Sequence, residues 1–315
     1  MEVLTEVDPG RIEALRSHDE FFWLDLKDAS VEALEAAGEL LGLHELALED
    51  TREFGQRPKL DRYPGRVLLV YWSARVPAAP EEEVQHVEVH LHISGGFLFT
   101  VRHADCAELD ALHDALLPEG TAAEDYILYR VLDALTDALF PVVDHLESRI
   151  DALEAAVLGD TDRSQLSEIY RLKQQVQLLE RRIVPQRDQF GGAIDAILAL
   201  PGLTHGSREY LRDIGDHLAQ VTGELYRQTD DLAALTSTYF NANANRLNAL
   251  ATRLTILATF FLIWTLVTSF FGQNFRWLTD HVQSFHAFLL WDIGGLVVPT
   301  LLAAIYFWRR RHEWL

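Results

Sequence analysis

Cysteine is almost missing from this chain: Cys106 is the only one in 315 residues. That excludes an internal disulfide and a multi-cysteine zinc site within one chain, and it fits a reducing compartment. Met1 is the sole methionine, and no proline lies between Pro201 and Pro299, so nothing in that interval obliges a helix to break. Positive charge is also scarce, with 27 Lys+Arg against 48 Asp+Glu and a formal net charge of −21. An acidic chain of this kind is a poor partner for nucleic acid or anionic lipid and a better one for cations, although acidity also serves solubility alone. The opening residues, MEVLTEVDPGRIEAL, lack the basic start and apolar core of a signal peptide, so the N-terminal part is expected to stay in the cytosol. Catalytic signatures are lacking too. There is no P-loop, HExxH or GxSxG, and His44-Glu45 is followed by no second histidine at zinc-protease spacing. An enzyme is therefore not expected.

What charge there is lies apart from the apolar residues. Residues 1–253 carry 23 Lys+Arg and 45 Asp+Glu, whereas residues 254–315 carry only 4 and 3. Within the second part, Leu254 to Phe275 is free of formal charge, and Ala287 to Trp308 is interrupted only by Asp292. At 1.5 Å per residue each run crosses a hydrocarbon layer of about 30 Å. Arg246 and Arg253 precede the first run, Arg309, Arg310 and Arg311 follow the second, and the loop between them holds only Arg276. The positive-inside rule then places both termini in the cytoplasm and the loop outside. The expectation is a helical hairpin in a bilayer, with Trp277, Trp291, Trp308 and Trp314 near its interfaces.

The first hundred residues read as mixed α/β. FFWLDL, VLLVYW, HVEVHLHI and FLFTVR have strand composition, and Ser94-Gly95-Gly96 marks a hairpin between the last two. From Asp125 the period changes to three and four. Leu132, Leu135, Leu139, Val142, Leu146, Ile150, Leu153 and Val157 predict one long amphipathic helix. Leu166, Ile169, Leu172, Val176, Leu179 and Ile183 predict a second, antiparallel one. Leu211, Ile214, Leu218, Val221, Leu225, Leu232, Leu235 and Tyr239 predict a third, able to run from about Gly206 into the membrane. Continued to Phe271, it would be roughly 100 Å long.

HELALEDTREFGQRPKLDRY (His44–Tyr63), the helical stretches Asp125–Leu158 and Ile169–Asp188, YLRDIGDHL (Tyr210–Leu218), the run into the first span and GQNF (Gly272–Phe275) together resemble the CorA family of magnesium and cobalt transporters and its ZntB branch. The resemblance implies an α+β cytosolic domain, long stalk helices and a two-helix transmembrane hairpin, assembled as a funnel-shaped homopentamer in a bacterial inner membrane. It divides the chain into a cytosolic α/β domain (1–124), antiparallel helices (125–205), a stalk helix (206–253), a first span with its mouth (254–275), an external loop (276–286), a second span (287–308) and a basic cytosolic tail (309–315). Gly272, Gln273 and Asn274 stand where the family signature Gly-Met-Asn sits. Ala251 and Leu262 stand where magnesium-transporting members often carry methionine, and Ile263-Trp264 replaces a proline common in the first span. Asp213 matches a stalk carboxylate credited with sensing magnesium between subunits. Its usual partner near Val76 is missing, but Glu81, Glu82 and Glu83 lie close by. The implied partners are divalent cations, copies of the same chain and lipid, with no cofactor beyond the transported and regulatory ions.

The mouth chemistry follows from hydration. Magnesium dehydrates reluctantly, so neutral oxygens from a ring of Asn274 amides and carbonyls near Gly272 suit a hydrated ion better than a carboxylate cage. The same tripeptide also reads as a helix cap and turn. Asn248, Ala251, Thr255, Ala258, Leu262, Thr265 and Ser269 recur at pore-lining spacing, while Thr255, Thr259 and Thr265 equally suit bonds to their own helix backbone. His86, Glu88, His90 and His92 alternate with apolar residues, which puts four borderline ligands on one strand face. A solvated face is the plainer account of them. Asp280, His281 and His286 in the loop would enrich cations. Three functions fit: a divalent-cation channel, a proton-linked zinc importer of the ZntB type, and a membrane-tethered cation-sensing scaffold that conducts nothing.

Overall fold

The computed structural model describes residues 2–79, 82–116, 124–159, 161–202, 208–273, 276–281 and 284–309. It divides into two compact units. One comprises residues 1–156 and 162–236, the other residues 157–161 and 237–315.

The first unit opens with β1 (Glu2–Leu4), α1 (Pro9–Ser17), β2 (Phe22–Lys27), α2 (Val31–Leu41) and α3 (Glu45–Arg52). Then come β3 (Lys59–Tyr63), β4 (Arg66–Arg75), β5 (Gln85–Ile93), β6 (Phe97–Arg102) and α4 (Ala107–Leu116). The strands form one mixed sheet in the order β1-β2-β6-β5-β4-β3. The β1–β2 and β2–β6 pairs are parallel and the rest antiparallel. The predicted turn at Ser94-Gly95-Gly96 joins β5 to β6, with the Ser94 N–H donating to the Phe97 carbonyl at 3.0 Å. Glycine is required at Gly95, where a Cβ would lie 1.8 Å from the Pro201 carbonyl oxygen. One face of the sheet packs Phe22, Leu24 and Phe99 against Ile12 and Leu15 of α1 and Leu34 and Leu41 of α2.

Helices follow: α5 (Glu124–Asp137), α6 (Leu139–Gly159), α7 (Arg163–Leu198) and α8 (Arg208–Phe271). The single long helix expected from Leu132 to Val157 is therefore two. Pro141 supplies the reason: it has no N–H for the Asp137 carbonyl, and its ring crowds that oxygen, so the helix breaks at Ala138. The stripe itself is buried throughout, from Leu132 to Val157, and so is that of α8 from Leu211 to Tyr239.

α7 docks on the sheet through an amide. β3 pairs with β4 only as far as Val70, so beyond it the Trp72 backbone has no strand partner on that side. Gln186 takes its place, accepting from the Trp72 N–H at 2.6 Å and donating to its carbonyl at 3.0 Å. In the second unit α8 is followed by α9 (Arg276–His281), α10 (Phe285–Ala287), a π-helical turn (Phe288–Ile293) and α11 (Gly294–Arg309). Two helices, Arg208–Phe271 and Phe285–Arg309, are long and apolar enough to cross a membrane.

Candidate ion pathway

Within the second unit, α8 and α11 pack along defined faces. The Phe260 and Phe307 rings lie 6.3 Å apart, and the Trp264 indole N–H donates to the Thr300 hydroxyl at 3.1 Å. A Cβ on Gly295 would touch Val267 and Phe271 at 3.9 Å. Thr252, Ile256, Thr259, Ile263 and Val267 continue this half-buried face. Asn248, Ala251, Thr255, Ala258, Leu262, Thr265 and Ser269 are all exposed in the single chain. At 3.6 residues per turn the centres of the two stripes lie roughly 140° apart around α8. The second span thus leaves uncovered the side on which polar and small residues recur.

Threonine hydroxyls on this helix turn back to the backbone. Thr255 donates to the Ala251 carbonyl at 2.9 Å, Thr259 to Thr255 at 2.9 Å and Thr265 to Phe261 at 2.7 Å. This satisfies the hydroxyl proton inside an apolar segment and keeps the oxygen lone pairs for an outside donor such as water. The helix ends at Phe271. The Gly272 N–H donates to Thr268 at 2.9 Å and the Gln273 N–H to Phe270 at 3.3 Å. Gly272 ends the helix without left-handed backbone, so its smallness serves close approach: a Cβ there would sit 3.0 Å from the Thr268 carbonyl. Asn274 lies outside the described residues.

In the first unit, the strand carrying His86, Glu88, His90 and His92 is neither a solvated face nor an assembled metal site. Glu88, His90 and His92 are buried because α3 and the following loop pack over β5. Glu88 accepts from the Gly55 and Gln56 N–H groups, the latter at 3.1 Å, and meets His90 Nε2 at 2.9 Å. The His92 Nε2 lies 2.7 Å from the Thr51 hydroxyl, and Phe54 stacks on His90. Burial, with His90 and Arg66 adding to it, pushes His92 down to about 3, and burial beside Arg182 pushes His86 down to about 4. The His86 and His92 imidazoles are therefore neutral at neutral pH, and the Nε2 atoms of His90 and His92 face protein partners.

Metal-type groupings among the described residues lie elsewhere, at Asp25, Asp110 and His113, and at Asp133, Asp213 and His217. The first is crossed by Arg102, which bonds Asp25 and Asp110, and a guanidinium in the middle repels a metal ion. The second surrounds the stalk carboxylate Asp213 with groups of its own chain. His217 Nε2 is 4.0 Å from Asp213 and its Nδ1 is 3.4 Å from Asp137. Burial and the neighbouring Asp137 push the Asp133 carboxyl upward. Glu82 and Glu83 are exposed and belong to neither grouping, and Glu81 lies outside the described residues. The Asp213/His217 spacing of four was the sequence signal for this neighbourhood, and it is absent from the expectations above. In the loop, Trp277 stacks on His281.

Comparison with known proteins decides the family. The profile described as "CorA-like Mg2+ transporter protein" matches residues 18–311. The chain belongs to the CorA family. It is 28% identical over 294 residues to YfjQ of Bacillus subtilis (strain 168), covering 90% of this chain and 86% of that one. It is 25% identical over 295 residues to the cobalt/magnesium transport protein CorA of Thermotoga maritima, covering 90% and 80%. The complete structure of the CorA magnesium transporter from Methanocaldococcus jannaschii superposes with a TM-score of 0.77 at 20% identity, covering 93% of this chain and 91% of that one. The CorA fold of α+β domain, long helices and C-terminal pair of apolar helices is thus present. Membership makes the chain a divalent-cation transporter of the membrane and not an enzyme.

Proposed function

We propose that five copies of this chain enclose a pore that passes hydrated divalent cations, Mg2+ among them, with Co2+, Ni2+ and Zn2+ also accepted. The observation that carries the proposal is the bare stripe of α8 from Asn248 to Ser269, opposite the face that packs on the second span. Two spans cannot enclose a path in one chain, so such a stripe needs copies of itself around an axis. Small and hydroxylated positions alternate there with Leu262, which suits hydrated waystations separated by an apolar constriction. Gly272, Gln273 and Asn274 form the mouth, where amide and carbonyl oxygens hold the ion's water shell. Gln273 in place of methionine and Ala251 at a position often narrowed by methionine make this mouth and pore permissive. Asp213, with Asp133 and His217 beside it, is the regulatory cation site in this scheme. The basic residues flanking the spans place both termini in the cytoplasm of a bacterial inner membrane.

Metal uptake into sealed vesicles tests the assignment. With Mg2+, Co2+, Ni2+ and Zn2+ offered separately, Mg2+ and at least one transition metal are expected to enter without a pH gradient. Zinc entry only with a proton gradient would move the chain to proton-linked import, and no entry of any ion would leave a cation-sensing scaffold.

A further inference from the structure

Asp292 is the single formal charge between Phe285 and Trp308. A carboxylate inside an apolar span is costly and is kept where it serves an ion path or a partner. Its position in the hairpin is well defined. Asp292 is half-buried between the exposed Trp291 and Ile293, and it continues the stripe Gly295, Pro299, Thr300, Ala303 and Phe307 at spacings of three and four. Contacts of Gly295, Thr300 and Phe307 show that this stripe faces α8. The two helices run antiparallel: Phe307 meets Phe260, Thr300 meets Trp264, and Gly295 meets Val267 and Phe271. One turn beyond Gly295, this register brings Asp292 level with Gln273, the middle of the mouth tripeptide. A second, independent feature marks the same turn. Phe288–Ile293 is π-helical, a conformation that is rare and concentrated at functional sites.

We propose that Asp292 is an electrostatic positioning residue for the mouth, a carboxylate behind Gly272 and Gln273 that concentrates divalent cations at the entrance without coordinating them. The inference rests on the transport reading above and adds to it a residue of the second span. A divalent ion feels twice the attraction of a monovalent one. Acting through water over roughly 8 Å, one carboxylate raises local divalent occupancy about fivefold. Salt separates this role from a packing role, because screening shortens the field from about 30 Å at 0.01 M to about 3 Å at 1 M.

The test compares Mg2+ uptake by wild type, Asp292→Asn and Asp292→Glu in sealed vesicles, at ~0.01 M and ~0.3 M monovalent salt. Equal oligomer mass for all three establishes that each is assembled. Asp292→Asn, which removes the carboxylate from every copy around the ring, is expected to raise the half-saturating Mg2+ concentration at least about fivefold at low salt and by a several-fold smaller factor at high salt, with the maximal rate preserved. Asp292→Glu, which keeps the charge, is expected to behave as wild type. An unchanged half-saturation in Asp292→Asn overturns the proposal, as does a loss of maximal rate that is the same at both salts, or a Glu variant that behaves like the Asn one. Vesicles in which wild type carries no ion overturn the transport reading itself, and this inference with it.

Discussion

Asn274→Ala is expected to lower divalent-cation uptake by roughly 100-fold while leaving assembly intact. α8 closes at Phe271, and the next two N–H groups still bond back into the helix. The helix of the first span therefore ends three positions before Asn274 in the sequence. An ion that keeps its water shell there can be held only by oxygens placed for those waters. Alanine removes one such oxygen from every copy around the ring. Each lost hydrogen bond costs about 1 kcal/mol, so the loss of even three of the five gives roughly 3 kcal/mol, or at least about 100-fold in rate. Uptake measured with a trapped indicator, alongside native mass of the assembled protein, reads both halves of this expectation. Normal uptake by the variant would reduce Asn274 to the end of a helix cap.

Asp25→Ala is expected to destabilise the first unit by about 3–5 kcal/mol, the usual cost of removing one partner of a buried ion pair. Asp25 and Arg102 are both 2% exposed. The carboxylate accepts from the Thr100 hydroxyl at 2.5 Å and from Arg102 at 2.9 Å, and His113 approaches it at 3.2 Å. The Trp23 indole N–H donates to the same Thr100 hydroxyl at 2.9 Å, so the network reaches from β2 through β6 to α4. In the variant the buried guanidinium keeps, among the described residues, the exposed Asp110 and the Ala104 carbonyl. Burial alone would raise the Asp25 carboxyl, but His113, Arg102 and Thr100 together hold it below its ordinary value. A depressed carboxyl adds stability that is complete above the unfolded value, about 4, and is lost as pH falls through the lower folded value. The gap between wild type and variant is therefore expected to stay constant above about pH 5 and to close on further acidification. Thermal unfolding of the full chain in detergent, followed by tryptophan fluorescence, measures it. A shift in melting temperature below 2 °C at pH 7 would contradict the network's role.

Elements whose signal is periodic are legible in this sequence. The apolar stripes of α6, α7 and α8 appear where spacing alone puts them, as do the four apolar strands. Signals that depend on one residue against a pattern are harder to see. Pro141 breaks a helix that its neighbours would continue, and it was outweighed by eight regularly spaced apolar residues. β1 is three residues long and β3 is the charged edge strand Lys59–Tyr63, so neither has the composition of a buried strand. The histidines of β5 mislead for a different reason. Alternation marks one face as polar, but α3 and the loop after it cover that face, and the polar groups then bond to Gly55, Gln56 and Thr51 instead of solvent or metal. At the pathway, sequence spacing selects the stripe and cannot say which side the second span covers. The contacts of Phe307, Thr300 and Gly295 supply that side.

Chemical accessibility tests the central claim most directly, that the side of α8 turned away from the second span lines an aqueous path. Cys106 is buried, and the burial that pushes its thiol up to about 12 leaves it unreactive, so single cysteines can be placed on an otherwise silent background. Cysteines at Thr255, Ala258, Leu262, Thr265 and Ser269 are expected to react with a charged, water-soluble thiol reagent and to lose cation uptake once modified. Cysteines at Ile256, Ile263 and Val267, against the second span, are expected to stay unmodified and to keep their uptake. Reaction of the second set with protection of the first would contradict the pathway proposed for this chain.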